Sequence, residues 1–194
     1  MAGSKHQNWL FIVDGKQRIF RKLNDGFDVL EYERYTYTEE HTEAVCNLIR
    51  DNLTENLLGA DFIKKYPKTH KRWNDPYFGY CVPATFALLY LMDTDKLEPI
   101  TSKDKEGIDH WWLRDKDHPN KIYDITHEQY ADKTVLKQLY ETGKVSGYYG
   151  GYSPNYEMPA SRFLTLMDKV QETAVRWKAT YKDEPLPATL EEFL

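Results

Sequence analysis

The sequence predicts an α+β domain in which one central helix packs on an antiparallel sheet. Two stretches carry that expectation. Residues 83–92 and the Val82 before them are apolar nearly all round, with Ala84, Phe86, Ala87, Leu88, Leu89, Leu91 and Met92 leaving little polar face. A helix apolar on every side belongs in the middle of a core. Residues 109–114 and 121–126 read as two strands, and Asp115-Lys116-Asp117-His118-Pro119-Asn120 between them is rich in turn formers. The 194 residues suit one domain with a single sizeable core.

The remaining elements follow in order. Trp9-Leu10-Phe11-Ile12-Val13 reads as an apolar strand, with Asp14-Gly15 as a turn signal after it. Residues 17–23 and 27–32 flank Asn24-Asp25-Gly26, so residues 9–32 are expected to form a strand pair or small meander. Residues 39–58 carry Val45, Leu48, Ile49, Leu53, Leu57 and Leu58 near a 3.6-residue period. Thr38 or Thr42 caps that helix, acidic Glu39, Glu40 and Glu43 suit its positive end, and Gly59 stops it. Asn74-Asp75-Pro76 breaks the next segment, and Pro83 fits a first helical turn. A short helix is expected at 134–140, a Gly-, Tyr- and Pro-rich loop at 143–159, and a helix at 161–178. Phe163, Leu164, Met167, Val170 and Ala174 give that last helix its apolar stripe, and Pro185 and Pro187 mark a loosely held tail.

Composition narrows the function classes. A net charge of −5 gives no basic footprint for nucleic acid. Lys64 to Arg72 holds five cations in nine residues and is read as a solvated loop or helix end, with contact to an acidic partner or substrate as the alternative. Two cysteines, Cys46 and Cys81, imply no disulfide framework and fit a reducing compartment. No segment approaches the roughly twenty apolar residues of a membrane span, and the first residues lack a signal-peptide core. A cytoplasmic protein is expected. The six histidines show no metal-ligand spacing, and there is no phosphate or dinucleotide loop, so no metal and no cofactor is expected.

The chemistry gathers around Cys81. It lies in Gly79-Tyr80-Cys81-Val82-Pro83, at the start of the central helix. A thiol attacks as the thiolate, and a free cysteine has a pKa of roughly 8.5. A helix N-terminus favours the anion, and a nearby imidazole takes the proton. Asp109-His110-Trp111-Trp112 and Tyr123-Asp124-Ile125-Thr126 supply the partners. With the hairpin turn centred near Asp117, His110 and Asp124 are expected to face each other directly across the strands, about 4.5–5.5 Å apart at Cβ. One ring nitrogen then meets the carboxylate and the other is free for the thiol. Cys46 falls within the 39–58 helix and is read as a buried structural thiol. The amide of Cys81 is the first oxyanion donor. Asn74 is a second candidate or else a turn former, and Tyr80, Trp111 and Trp112 either wall the cleft or fill the core. Gly147 to Gly151 reads as a surface loop or a lid.

Cys, His and Asp in this order, the Cys opening a helix and the others on adjacent strands, resemble the papain-like and transglutaminase-like superfamily. The stretch from Gly79 to Thr126, about a quarter of the chain, carries the resemblance. Its compact spacing is more similar to the transglutaminase-like and arylamine N-acetyltransferase branches than to papain. The three motifs also resemble small proteins of phages and bacteria, which for a phage protein implies host cytoplasm. The resemblance implies Cys81 as nucleophile, His110 as general base and acid, and Asp124 as the orienting carboxylate. Two departures stand out. No Gln shortly precedes Cys81, and the Arg-Gly-Gly lead-in of the acetyltransferases is replaced by Tyr77-Phe78-Gly79-Tyr80. The expected function is thiol-dependent hydrolysis of a peptide, protein or amide-containing substrate by a peptidase, amidase, deamidase or deconjugating enzyme. Transfer to an amine acceptor, or an inactive binding or inhibitor module, are the alternatives. No nucleic-acid or membrane partner is expected, and the oligomeric state is not legible.

Overall fold

The computed structural model describes residues 8–13, 16–23, 26–146 and 160–181. The chain runs β1 (Asn8–Val13), β2 (Lys16–Leu23), β3 (Gly26–Leu30), α1 (Glu39–Asp51), α2 (Ala60–Lys65), α3 (Cys81–Leu91), β4 (Leu97–Lys103), β5 (Asp109–Asp115), β6 (Ile122–Tyr123), α4 (Lys133–Thr142), β7 (Lys144–Val145) and α5 (Ala160–Tyr181). Strands β1, β2 and β3 form an antiparallel meander, and a second antiparallel sheet has the order β6-β5-β4-β7. The architecture is α+β. No described helix is long and apolar enough to cross a membrane.

Helix α3 is the centre of the molecule, as its apolar circumference requires. It packs against β5, β4, α1 and α5. Every one of its residues except Val82 is buried, and Ala87 and Leu88 have no exposure at all. A fully buried leucine stabilises by about 1.5–3 kcal/mol. The C-terminal end of α3 is tied down by Tyr35, whose amide donates to the Leu91 carbonyl at 2.7 Å and whose carbonyl accepts from Asp93 N–H at 2.8 Å. Strand β5 is buried on both faces. Trp111 and Leu113 join the α3 core, while Trp112 packs with Ile100, Tyr130, Leu136 and Leu139 in a second cluster.

Several boundaries differ from expectation. Helix α1 ends at Asp51 rather than at residue 58, because Asn52 folds its side-chain amide back onto the Leu48 carbonyl at 2.9 Å. Leu57 is then buried from a single 3-10 turn, Glu55–Leu57, and Gly59 caps the start of α2 instead of ending α1. Thr38 is the cap of α1, accepting from His41 N–H at 3.1 Å. The central helix begins at Cys81 itself, with Pro83 third, where the helix ladder needs no N–H. Strand β4 had no counterpart among the expected elements, and it carries Pro99, which offers the ladder no N–H. The Asp14-Gly15 turn, most of the 143–159 loop with Gly147 to Gly151, and the tail with Pro185 and Pro187 lie outside the described residues.

A tight turn delivers Cys81 to the helix. Tyr77 has a positive φ of 58° and accepts the Tyr80 N–H at 3.1 Å. Gly79 follows at φ 89°, and a Cβ there would lie 2.4 Å from Phe62 Cζ. Only glycine meets both demands. Gly79→Ala is expected to cost about 2–4 kcal/mol from left-handed backbone and overpacking together. Urea unfolding measures it, and a loss under about 0.5 kcal/mol contradicts the tight turn.

Candidate active site

The β5–β6 hairpin sets the site. Asp115 Oδ1 accepts the amides of Asp117 and His118, at 2.8 and 3.0 Å, and Asp115 N–H donates to Lys121 O at 3.1 Å. Tyr37 donates to Asp115 Oδ2 at 2.6 Å and, with the two turn amides, holds this carboxyl below its usual range despite the opposing effect of burial. These bonds carry β5 one residue further than expected and centre the turn on His118. The observed pairs are Leu113 with Tyr123 and Arg114 with Ile122. His110 and Asp124 are therefore not directly opposed, which corrects the expected register. The offset is two residues, and an even offset keeps both side chains on one face. Strand β6 stops at Tyr123, and Asp124 turns in to meet the ring.

His110 Nε2 and Asp124 Oδ2 are 2.6 Å apart, with side-chain exposures of 0% and 2%. Asp124 is held from three further directions. Thr126 N–H donates to Oδ1 at 3.1 Å, the Thr126 hydroxyl to Oδ1 at 3.5 Å, and the Tyr140 hydroxyl to Oδ2 at 2.9 Å. Burial raises the Tyr140 phenol, and the adjoining carboxylate raises it further. With Nε2 committed to Asp124, Nδ1 is the nitrogen that does not face the carboxylate, and the Cys81 thiol is close enough to raise the proton affinity of the ring. Burial alone lowers the proton affinity of His110. The Asp124 charge and hydrogen bond, with the thiol, outweigh it and raise the value to about 9.

Helix α3 aims its N-terminus at this pair. No side chain caps it, and Ala84 N–H to Tyr80 O, at 3.1 Å, opens its ladder. Pro83 has no N–H, so Cys81 and Val82 supply the forward-pointing amides. The Cys81 sulfur also lies 3.8 Å from the Asp109 carbonyl.

The three expected residues converge, while the flanking candidates divide. Asn74 is exposed at the end of the 3-10 turn Lys71–Asn74 and makes no hydrogen bond to the Cys81 segment. Tyr80 is half-buried and contributes its carbonyl to the helix start. Trp111 packs on Phe86 with ring centres 5.7 Å apart, in the α3 core rather than along a cleft. Trp112 is the tryptophan that touches the imidazole, at 5.6 Å.

Four participants had no signal in the sequence. Gln129 is buried, and its Nε2 lies 3.0 Å from His110 Nδ1. Tyr130 meets the His110 ring edge-on at 5.0 Å. Arg72 does not belong to a solvated basic face. It is buried, pairs with Asp75 and with Asp104 at 2.8 Å, lies 4.8 Å over the Tyr130 ring, and donates to Gln129 O at 3.4 Å. Tyr140 is the fourth, through its bond to Asp124. Its place on α4 says nothing of its target.

The second thiol is chemically different. Cys46 is buried in α1, and burial is the main cause that pushes its pKa up to about 12. Among the described residues no cluster of three or more His, Cys, Asp or Glu converges as a metal site.

Comparison with protein-family models, with curated proteins and with solved structures gives no match.

The contrast between the thiols is directly measurable. Iodoacetamide near neutral pH is expected to label Cys81 at least about tenfold faster than Cys46, because the thiolate is the reacting form. Peptide mass mapping reads the ratio, and equal labelling contradicts an activated Cys81.

Proposed function

We propose that this protein is a cysteine hydrolase of amide or ester bonds that works through a covalent acyl-enzyme. The observation that carries the reading is the buried Cys81–His110–Asp124 constellation, with the Cys at an uncapped helix N-terminus. Structural histidines are commonly buried. What favours catalysis here is a helix-entry thiol close to an imidazole that a buried carboxylate holds by Nε2.

The steps follow from the atoms. His110 Nδ1 takes the Cys81 proton, and the sulfur attacks the substrate carbonyl carbon. The amides of Cys81 and Val82 receive the oxyanion that develops. Nδ1–H returns its proton to the leaving amine or alkoxide as the carbon–nitrogen or carbon–oxygen bond breaks, leaving a thioester on Cys81. Water then gives a proton to Nδ1 and attacks the thioester. The carboxylic acid leaves and the proton returns to sulfur. Asp124 holds the ring and offsets its positive charge in both half-reactions.

A helix bearing the nucleophile, packed on the antiparallel strand that carries the His, supports kinship with the papain-like and transglutaminase-like superfamily. With no upstream Gln and Asn74 turned to solvent, the oxyanion site in this reading rests on main-chain amides. Transfer of the acyl group to an amine uses the same thioester and differs only in the acceptor.

A p-nitrophenyl ester series tests the proposal. Cys81→Ala and His110→Ala are expected to abolish release above background, and Asp124→Asn to lower kcat by about 10³–10⁴. Retained turnover in Cys81→Ala contradicts the assignment. A larger share of amide product when a primary amine is added points to transfer.

A further inference from the structure

The side-chain amide of Gln129 is fixed in orientation by its surroundings. Its Nε2 lies 3.1 Å from the Thr126 carbonyl, 3.0 Å from Thr126 Oγ1 and 3.0 Å from His110 Nδ1. The carbonyl is an obligate acceptor. The Thr126 hydroxyl directs its proton toward Asp124 Oδ1, at 3.5 Å, and so offers Gln129 a lone pair. Two acceptors on one side require an NH₂ group there, not the amide oxygen. Gln129 is buried, so a turned amide would face those oxygens without water to relieve it. One Nε2 proton is shared by the two Thr126 oxygens, and the other is aimed at His110 Nδ1.

A donor aimed at Nδ1 has a definite consequence. It stabilises the imidazole whose proton sits on Nε2, facing Asp124, with the Nδ1 lone pair outward. It opposes the imidazolium, because Nδ1–H would meet Gln129 N–H head-on. Asp124 and Cys81 draw a proton onto the ring, and Gln129 pushes the other way.

Resting on the cysteine-hydrolase reading of this site, we propose that Gln129 is a positioning residue that restrains formation of the Cys81 thiolate–imidazolium pair, so that proton transfer waits for substrate. The other groups around the ring do not do this. Tyr130 presents its ring edge at 5.0 Å, and its hydroxyl points to Asp104 at 3.3 Å. Arg72 is spent on Asp75 and Asp104 and reaches only the Gln129 main chain. Tyr140 acts on Asp124, and Cys46 feels the Asp124 charge while its own burial keeps it neutral.

The pH dependence of Cys81 alkylation in the full chain is the test, read by iodoacetamide labelling and mass mapping. Gln129→Met removes the donor and keeps the volume. Its labelling midpoint is expected to fall by about one pH unit, the scale of one hydrogen bond made to a single protonation state. That is close to a tenfold rise in rate on the acid side. Gln129→Leu also removes the donor, in a shorter side chain, and is expected to move it the same way. If Gln129→Met fails to fold, Gln129→Leu decides. A midpoint that stays or rises overturns the role of Gln129. The wild type separates this from failure of the wider reading. If its labelling favours Cys81 and depends on His110, the site stands and only the Gln129 claim falls. If it shows neither, both fall.

Discussion

The structure turns on a histidine with no exposed surface. His110 has no exposure, so both ring nitrogens must be satisfied by the protein. Asp124 answers Nε2 at 2.6 Å and Gln129 lies 3.0 Å from Nδ1, with the Cys81 thiol close enough to raise the proton affinity of the ring. Much of the surrounding architecture serves that need. The hairpin offset keeps His110 and Asp124 on one face, the main chain around Thr126 holds the carboxylate, and α4 brings Tyr140 to its second oxygen. The Tyr77–Gly79 turn then sets the helix start against the ring.

A second buried network stands behind the first. Arg72 is sandwiched between the rings of Phe78, at 5.1 Å, and Tyr130, at 4.8 Å, and is paired with Asp104. Tyr130 in turn meets the imidazole. Removing one partner of such a pair costs about 3–5 kcal/mol, since the other charge is left buried alone. The positions of Gln129 and Tyr130 therefore depend on a charge pair that never touches the thiol. This layer supports the ring from behind, in addition to the direct bond that Asp124 makes.

What was legible in the sequence is what short-range pattern controls. The apolar circumference of α3 announced its central place, and the turn formers after Asp115 announced the hairpin. The two helices flanking the loop after residue 143 were also visible as patterns, though their ends moved by a few residues. The grouping of Cys81, His110 and Asp124 was legible because each sits on or beside one of those elements. The register was not, because it depends on Asp115 capturing two turn amides and on Tyr37 holding the same carboxylate from far away in the chain. Strand β4 went unread, and the Pro99 inside it, lacking an N–H, weakens the strand pattern there. Gln129, Arg72 and Tyr140 had no local signature, since each owes its role to what the fold places opposite it. Asn74 shows the converse: closeness to Cys81 in sequence did not become closeness in function.

We propose that Cys81, driven by His110 and Asp124, forms a covalent acyl intermediate. Rapid-quench mass spectrometry of the intact protein mixed with a p-nitrophenyl ester tests this. A transient mass gain equal to the acyl group, mapped to Cys81, is expected to decay as free acid is released. Ester hydrolysis without an adduct, or an adduct on any other residue, would contradict it.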